Sequence, residues 1–123
     1  MTEPIVAEST MDDSIAAQIE RAVAGWEGVT VNLHRFGGIE FRVGRRELGH
    51  LHGNRLADLP FPVRVREELV RAGRAEPHHI HAESGWVSYY IRDATDVPAV
   101  IDLFRLNYDR PWLTPPAATH SDN

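Results

Sequence analysis

Apolar positions along the chain alternate between two periods, about 3.6 and 2 residues, and each change of period marks a change of element. In "DDSIAAQIERAVAGW", Ile15, Ile19, Val23 and Trp26 fall on one helical face. Asp12, Asp13 and Ser14 precede them as cap candidates, and Gly25 and Gly28 end the run. "VTVNLHRF" then alternates, with Val29, Val31 and Leu33 on one side and Thr30, Asn32 and His34 on the other. "GG" at 37–38 predicts a turn, and "IEFRV" resumes with Ile39, Phe41 and Val43 inward and Glu40 and Arg42 outward. "RELGHLHG" predicts a third strand. With Leu51 buried, His50 and His52 face outward, and Leu48 joins them unless Gly49 marks a bulge.

The stretch "NRLADLPFP" reads as a loop that delivers Pro62 to the first turn of a helix, "VRVREELVRAG". Val65, Leu69 and Ala72 form its stripe and Gly73 its stop. "EPHHIHAESGWVSYYI" predicts a hairpin around "ESG", with Ile80 inward and His79 and His81 outward. In its second strand Val87, Tyr89 and Ile91 oppose Trp86, Ser88 and Tyr90. "TDVPAVIDLFRLNYDR" is a third helix buried through Val97, Val100, Ile101, Phe104 and Tyr108. The order is α-β-β-β-α-β-β-α. It predicts an α+β two-layer sandwich, an antiparallel five-stranded sheet with helices on one face and the other face partly open. Residues 1–11 are expected to be a flexible lead, 12–110 a single domain and 111–123 a proline-rich tail.

Composition narrows the chemistry. The 123 residues contain no cysteine, which excludes disulfides, thiolate catalysis and cysteine-bound metal. All 13 basic residues are arginine, so Schiff-base and Walker-type lysine chemistry is excluded too. The net charge of −5 is unevenly spread: residues 34–74 carry +4, between segments of −5 and −4. A net acidic domain argues against nucleic acid, whereas a basic middle suits a small anionic ligand. No apolar run approaches the ~18–20 residues of a membrane span, and the acidic start lacks a signal-peptide pattern. A cytoplasmic protein is expected, with its oligomeric state left open. No flavin- or nucleotide-binding motif is present.

The predicted open face gathers unusual side chains: Thr30, Asn32, His34, Glu40, Arg42, His50, His52, His79, His81, Trp86, Ser88 and Tyr90. Six of the seven histidines lie between 34 and 81. Three readings compete. The first is metal-free ligand binding or acid–base chemistry, with Glu40, Arg42 or Glu47 setting the histidines' charge and Trp86 and Tyr90 offering a flat platform. The second is structural, with histidines bonded within the sheet or the face set against a protein partner. The third is a metal site of His50 and His52 with His79 or Glu47. "GRRELGHLH" fits the opening of a cupin metal motif, but no glutamate follows at the required spacing, which ranks metal below the other two. Asp58 reads as a turn residue before it reads as a catalytic acid.

With those residues in place the chain resembles a family of small bacterial proteins called the luciferase domain, over roughly residues 14–110. The resemblance is carried by "HRFGGIEFRVGRRELGHLHGNRLADLPFP", "RAEPHH", "SGWVSYYIR" and "DVPAVIDLFRLNYDR". The family's recurrent residues would fall on His34, Glu40, Glu47, His50, His52, His78 or His79, and Trp86. Its architecture is similar to the YjbR-like fold. What the resemblance implies is a site for a conjugated, enol-like molecule and cofactor-independent oxygenase or isomerase chemistry, not light emission. His50 and His52 would act as base and neighbour, Arg42 would stabilise an enolate, and Trp86 would hold the ring.

Overall fold

The computed structural model describes residues 13–33 and 37–113, the side chains of 111–113 excepted. The expected lead, His34 and nearly all of the expected tail lie outside the described residues. Helix α1 (Ile15–Ala24) is capped by the Ser14 hydroxyl, which accepts from the Ala17 N–H. Four strands follow as a meander: β1 (Val29–Leu33), β2 (Ile39–Val43), β3 (Arg46–His52) and β4 (Leu56–Pro60). After α2 (Val63–Arg71) come β5 (Glu76–Pro77) and β6 (Trp86–Tyr90), then a 3₁₀ turn (Ala94–Asp96) leading into α3 (Val97–Leu113). The sheet is antiparallel throughout in the order β1-β2-β3-β4-β6-β5.

The α+β class and the three helices are as the sequence predicts, but the sheet has six strands rather than five. The added strand is β4, drawn from the segment read as a loop. Asn54, Pro60 and Pro62 suggest irregular chain there, yet each proline sits where no ladder donor is needed, at the strand's last residue or beyond it. Between them Ala57 and Leu59 alternate inward, and β4 becomes a central strand between β3 and β6. The predicted hairpin is also shorter than expected: β5 has two residues, and 78–85 form a loop in which Ile80 is 69% exposed instead of inward. Leu33, at the end of edge strand β1, is 87% exposed rather than buried.

All three helices contribute to one core. Ile19 and Val23 of α1, Leu69 of α2 and Val97, Val100, Leu103 and Phe104 of α3 join Phe41, Leu48, Leu51, Ala57, Leu59 and Val87 of the sheet. Phe104 meets Phe41 edge-on at 5.2 Å between ring centroids. Ala72, expected in the α2 stripe, is exposed at its C-cap.

The register of β3 turns on a bulge. Phe41 pairs with Gly49 and Arg42 with Glu47, so Leu48 has no partner in β2. The extra residue lets Leu48 drop into the core while Glu47 and His50 both face the other way. Gly49 permits this: its φ is 146°, and a Cβ there would lie 2.6 Å from the Asp58 carbonyl and 2.9 Å from the Phe104 ring. The bulged Leu48 carbonyl accepts from the Asn107 side-chain amide at 3.0 Å, and Asn107 is fully buried. Arg46 in turn donates to the Asn107 carbonyl and side-chain oxygens.

At the far end of the sheet, Asp96 fastens β6 to α3. It is 4% exposed and accepts from the Tyr89 hydroxyl, the Arg92 backbone N–H and the Arg92 guanidinium. These Arg92 bonds, aided by Tyr89 and opposed by burial, hold its carboxyl well below the usual carboxylate range.

Two predictions follow from these contacts. Asn107→Ala should lower unfolding stability by about 2 kcal/mol, because the buried Leu48 carbonyl at the bulge loses its donor and Arg46 loses its one side-chain acceptor there, keeping only backbone carbonyls; chemical denaturation measures it. Asp96 is depressed in the folded state, so its contribution is complete above its unfolded pKa of about 3.9 and is lost as pH falls below it. Denaturation midpoints of wild type and Asp96→Asn should therefore converge on acidification, with the wild type showing the steeper acid loss.

Candidate functional site

Lateral pairing assembles a row of polar residues across the face opposite the core. Asn32 stands opposite Glu40, Glu40 opposite His50, His50 opposite Asp58, and Asp58 opposite Ser88. Adjacent strands are about 4.8 Å apart, so neighbours in such a row reach one another directly. The next row sets His52 opposite Leu56 and Leu56 opposite Tyr90. Loop 78–85 then folds over this face, so the face is less open than the alternation implies.

Asp58 is the centre of the arrangement and is 1% exposed. Its Oδ1 accepts from the buried Ser88 hydroxyl at 2.6 Å. Around Oδ2 stand four imidazole Nε2 atoms: His52 at 3.2 Å, His79 at 3.3 Å, His50 at 3.5 Å and His78 at 3.6 Å. The His50 and His52 rings meet edge-on at 4.8 Å, and His78 stacks on both His79 and His81. Trp86 closes one side, with its ring 5.4 Å from His50 and 5.9 Å from His78.

The second nitrogen of two rings separates their roles. His50 Nδ1 lies 3.0 Å from Glu47 Oε2, a carboxylate that can only accept, so Nδ1 carries the proton and Nε2 is turned to Asp58. His78 is the reverse: its Nδ1 accepts from the backbone N–H groups of Ile80 and His81, both at 3.1 Å. Its neutral ring must then hold its proton on Nε2, on the side of Asp58.

Electrostatics follow the same division. Burial opposes a charge on His50, but hydrogen bonds to Asp58 and Glu47 and their negative charges outweigh it and lift its pKa to about 9. Burial also opposes charge on Asp58, yet its bonds to His50 and Ser88 and the nearby His78 and His79 hold it well below the usual carboxylate range. His78 is pushed down, by burial and by the neighbouring imidazoles, against the pull of Asp58. In the ion-free protein this favours a charged His50, whereas a ligating imidazole is neutral, so a metal ion would bind there with release of that proton.

Of the residues singled out in the sequence, His50, His52 and His79 converge, Glu47 supports His50, and Trp86 borders the group. Glu40 lies beside His50 in the row and pairs with Arg42, which also donates to the Arg45 carbonyl. Arg42 is thus engaged at the β2–β3 turn instead of presented to a ligand. Tyr90 stands 44% exposed beyond His52. Sequence reasoning missed Asp58 as the hub and His78 as the buried member of "HH". One signal for Asp58 was present: Ala57, Leu59 and Phe61 alternate at period two, which puts Asp58 on the face of the histidines.

The Luciferase domain family model matches residues 45–107, slightly more than half of the chain. The match begins at β3 and ends in α3, so it contains Glu47, every histidine of the cluster, Asp58, Trp86 and Ser88. No curated protein and no solved structure matches the chain.

Ser88→Ala removes a buried donor from a buried anion. It should cost about 1.5–3 kcal/mol of unfolding stability, the range for hydrogen bonds to charged groups, read by urea denaturation in the presence of chelator.

Proposed function

The chain belongs to the luciferase-domain family, and we propose that within it this protein is a metalloprotein holding one divalent first-row transition metal ion through His50, His52 and Asp58. The observation that carries this reading is the crowding of imidazole Nε2 atoms 3.2–3.6 Å from a single oxygen of Asp58. A carboxylate oxygen offers two lone pairs, so hydrogen bonding does not explain four such neighbours. Charge-assisted N–H···O⁻ bonds are also shorter, about 2.7–2.9 Å. Ligand atoms about 2.0–2.1 Å from a shared ion, subtending roughly 100–120°, lie about 3.2–3.6 Å apart.

The donor set fits such an ion. His50, His52 and Asp58 present ligand atoms within 4.8 Å of one another. Two imidazoles and one carboxylate are the set used by non-haem iron(II) oxygenases, which leave coordination positions open to substrate. Glu47 on His50 Nδ1 is the outer carboxylate that ordinarily orients a ligating histidine. His79 Nε2 is near enough to Asp58 to add a further nitrogen. His78, whose Nε2 bears a proton and lies 3.6 Å from Asp58 Oδ2, stands beside the donor set and not in it.

Such an ion supplies Lewis acidity toward an enol or enolate oxygen and a place for a small conjugated molecule to bind. The family resemblance supports a substrate of that kind. Metal-dependent chemistry on a conjugated small molecule is therefore favoured over the cofactor-independent route that the resemblance alone implies.

Metal analysis of untagged protein reconstituted anaerobically with iron(II), and separately with cobalt(II) as a spectroscopic probe, tests the assignment. About one ion per folded chain is expected, with cobalt d–d absorption that disappears in Asp58→Asn. Glu47→Gln should weaken affinity by about 10–100-fold, as for other outer-shell partners. Stoichiometry well below one in folded wild-type protein, or unchanged binding by Asp58→Asn, would overturn it.

A further inference from the structure

His52 faces solvent at one edge of the cluster, with 32% of its side chain exposed against 12% for His50. Beyond it opens a groove of about 480 Å³ lined by His52, Arg55, Leu56, Tyr90 and Ile91. That volume lies within the range of small-molecule sites. Leu56 and Ile91 are apolar, no acidic side chain lines the groove, and the two remaining walls are a cation and an aromatic ring.

The cation is held in place from its backbone. The Arg55 N–H donates to the His52 carbonyl at 3.4 Å, and the Arg55 carbonyl accepts from the Ile91 N–H at 2.8 Å. The same turn is tied to α1, because the Asn54 side-chain oxygen accepts from the Ala16 N–H at 2.8 Å. Arg42, Arg46 and Arg92 all spend their guanidinium groups on protein acceptors. Arg55 makes no side-chain hydrogen bond or ion pair among the described residues. Its fork is thus available to a carboxylate, which it can bind with two parallel hydrogen bonds. Across the groove Tyr90 leaves 44% of its surface to solvent, an apolar face suited to stacking.

We propose that this groove binds a planar aromatic or conjugated carboxylate, with the carboxylate on Arg55 and the ring system on Tyr90. The ligand then lies alongside His52, so the groove is the approach to the cluster. The inference rests on the metal reading for what the ligand meets there, while recognition depends on Arg55 and Tyr90 alone. The excess positive charge of residues 34–74 favours entry of an anion.

Trans-cinnamate is a suitable probe, with neutral trans-cinnamamide as its control. Backbone amide NMR titrations would be run on the full chain in chelator and again with zinc. Cinnamate should shift the amides of Arg55, Tyr90 and Ile91 saturably, and cinnamamide should bind roughly tenfold more weakly for want of the charged pair. Arg55→Gln should weaken cinnamate by a similar factor, and Tyr90→Leu by several-fold. Both substitutions are at exposed positions, and an unchanged thermal midpoint verifies folding. The proposal is overturned if cinnamate gives no saturable shift at these residues, if cinnamamide binds equally well, or if Arg55→Gln binds like wild type. Failure of the metal reading would look different: no ion bound, with Arg55-dependent cinnamate binding intact in chelator.

Discussion

One misfit in the β2–β3 ladder sets up the rest of the site. In a regular strand residues three apart point to opposite faces, so Glu47 and His50 could not meet. The unpaired Leu48 changes the phase, buries its own side chain in the core and leaves Glu47 beside His50. The bulge survives because Gly49 adopts a conformation closed to other residues and because Asn107 reaches from α3 to satisfy the orphaned carbonyl. Core packing and site chemistry therefore share one local irregularity. A strand without the bulge would place either Leu48 in water or the histidines in the core.

The second constraint is a buried anion. Asp58 is a charge in the middle of a sheet, and an unpaired carboxylate there would take up a proton instead of staying charged. It stays ionised because Ser88 donates to one oxygen and imidazoles crowd the other. Loop 78–85 completes that shell. Its backbone N–H groups fix the His78 tautomer, and its "HH" pair supplies nitrogens from outside the sheet. The loop lacks regular structure, yet its inner end is among the best satisfied parts of the face.

The two strands behind the histidines also define what lies around them. Trp86 walls one side of the cluster, and the β3–β4 turn carries Arg55 to the other. Tyr90 lines both the groove beyond His52 and a second groove of about 470 Å³ between α2 and the β6 edge. The described residues thus show a dry side of helices and core, and a wet side graded from enclosed imidazoles to an exposed cation and ring.

Much of this was legible from spacing alone. The three helices, the strands β1, β2, β3 and β6, and the outward placement of His50, His52, Trp86, Ser88 and Tyr90 all follow from periods of about 3.6 and 2 residues, which are properties of the backbone. The choice at Leu48 was visible as a question, since Gly49 permits a bulge without requiring one. What the sequence could not reveal was which neighbour each strand would take. Asp58 looked like a turn residue because asparagine and prolines surround it, and only the insertion of β4 between β3 and β6 made it the hub. Alternation put Ile80 inward and His79 and His81 outward, and that reading failed because 78–85 is a loop whose course is set by its own backbone hydrogen bonds and by ties to Phe61 and Trp86 and not by a strand period. Residue types and local periodicity determined the donors this protein has. Strand order, the bulge and one folded-over loop decided that five of them meet at a single carboxylate, because long-range pairing, not local preference, sets which side chains share a rung.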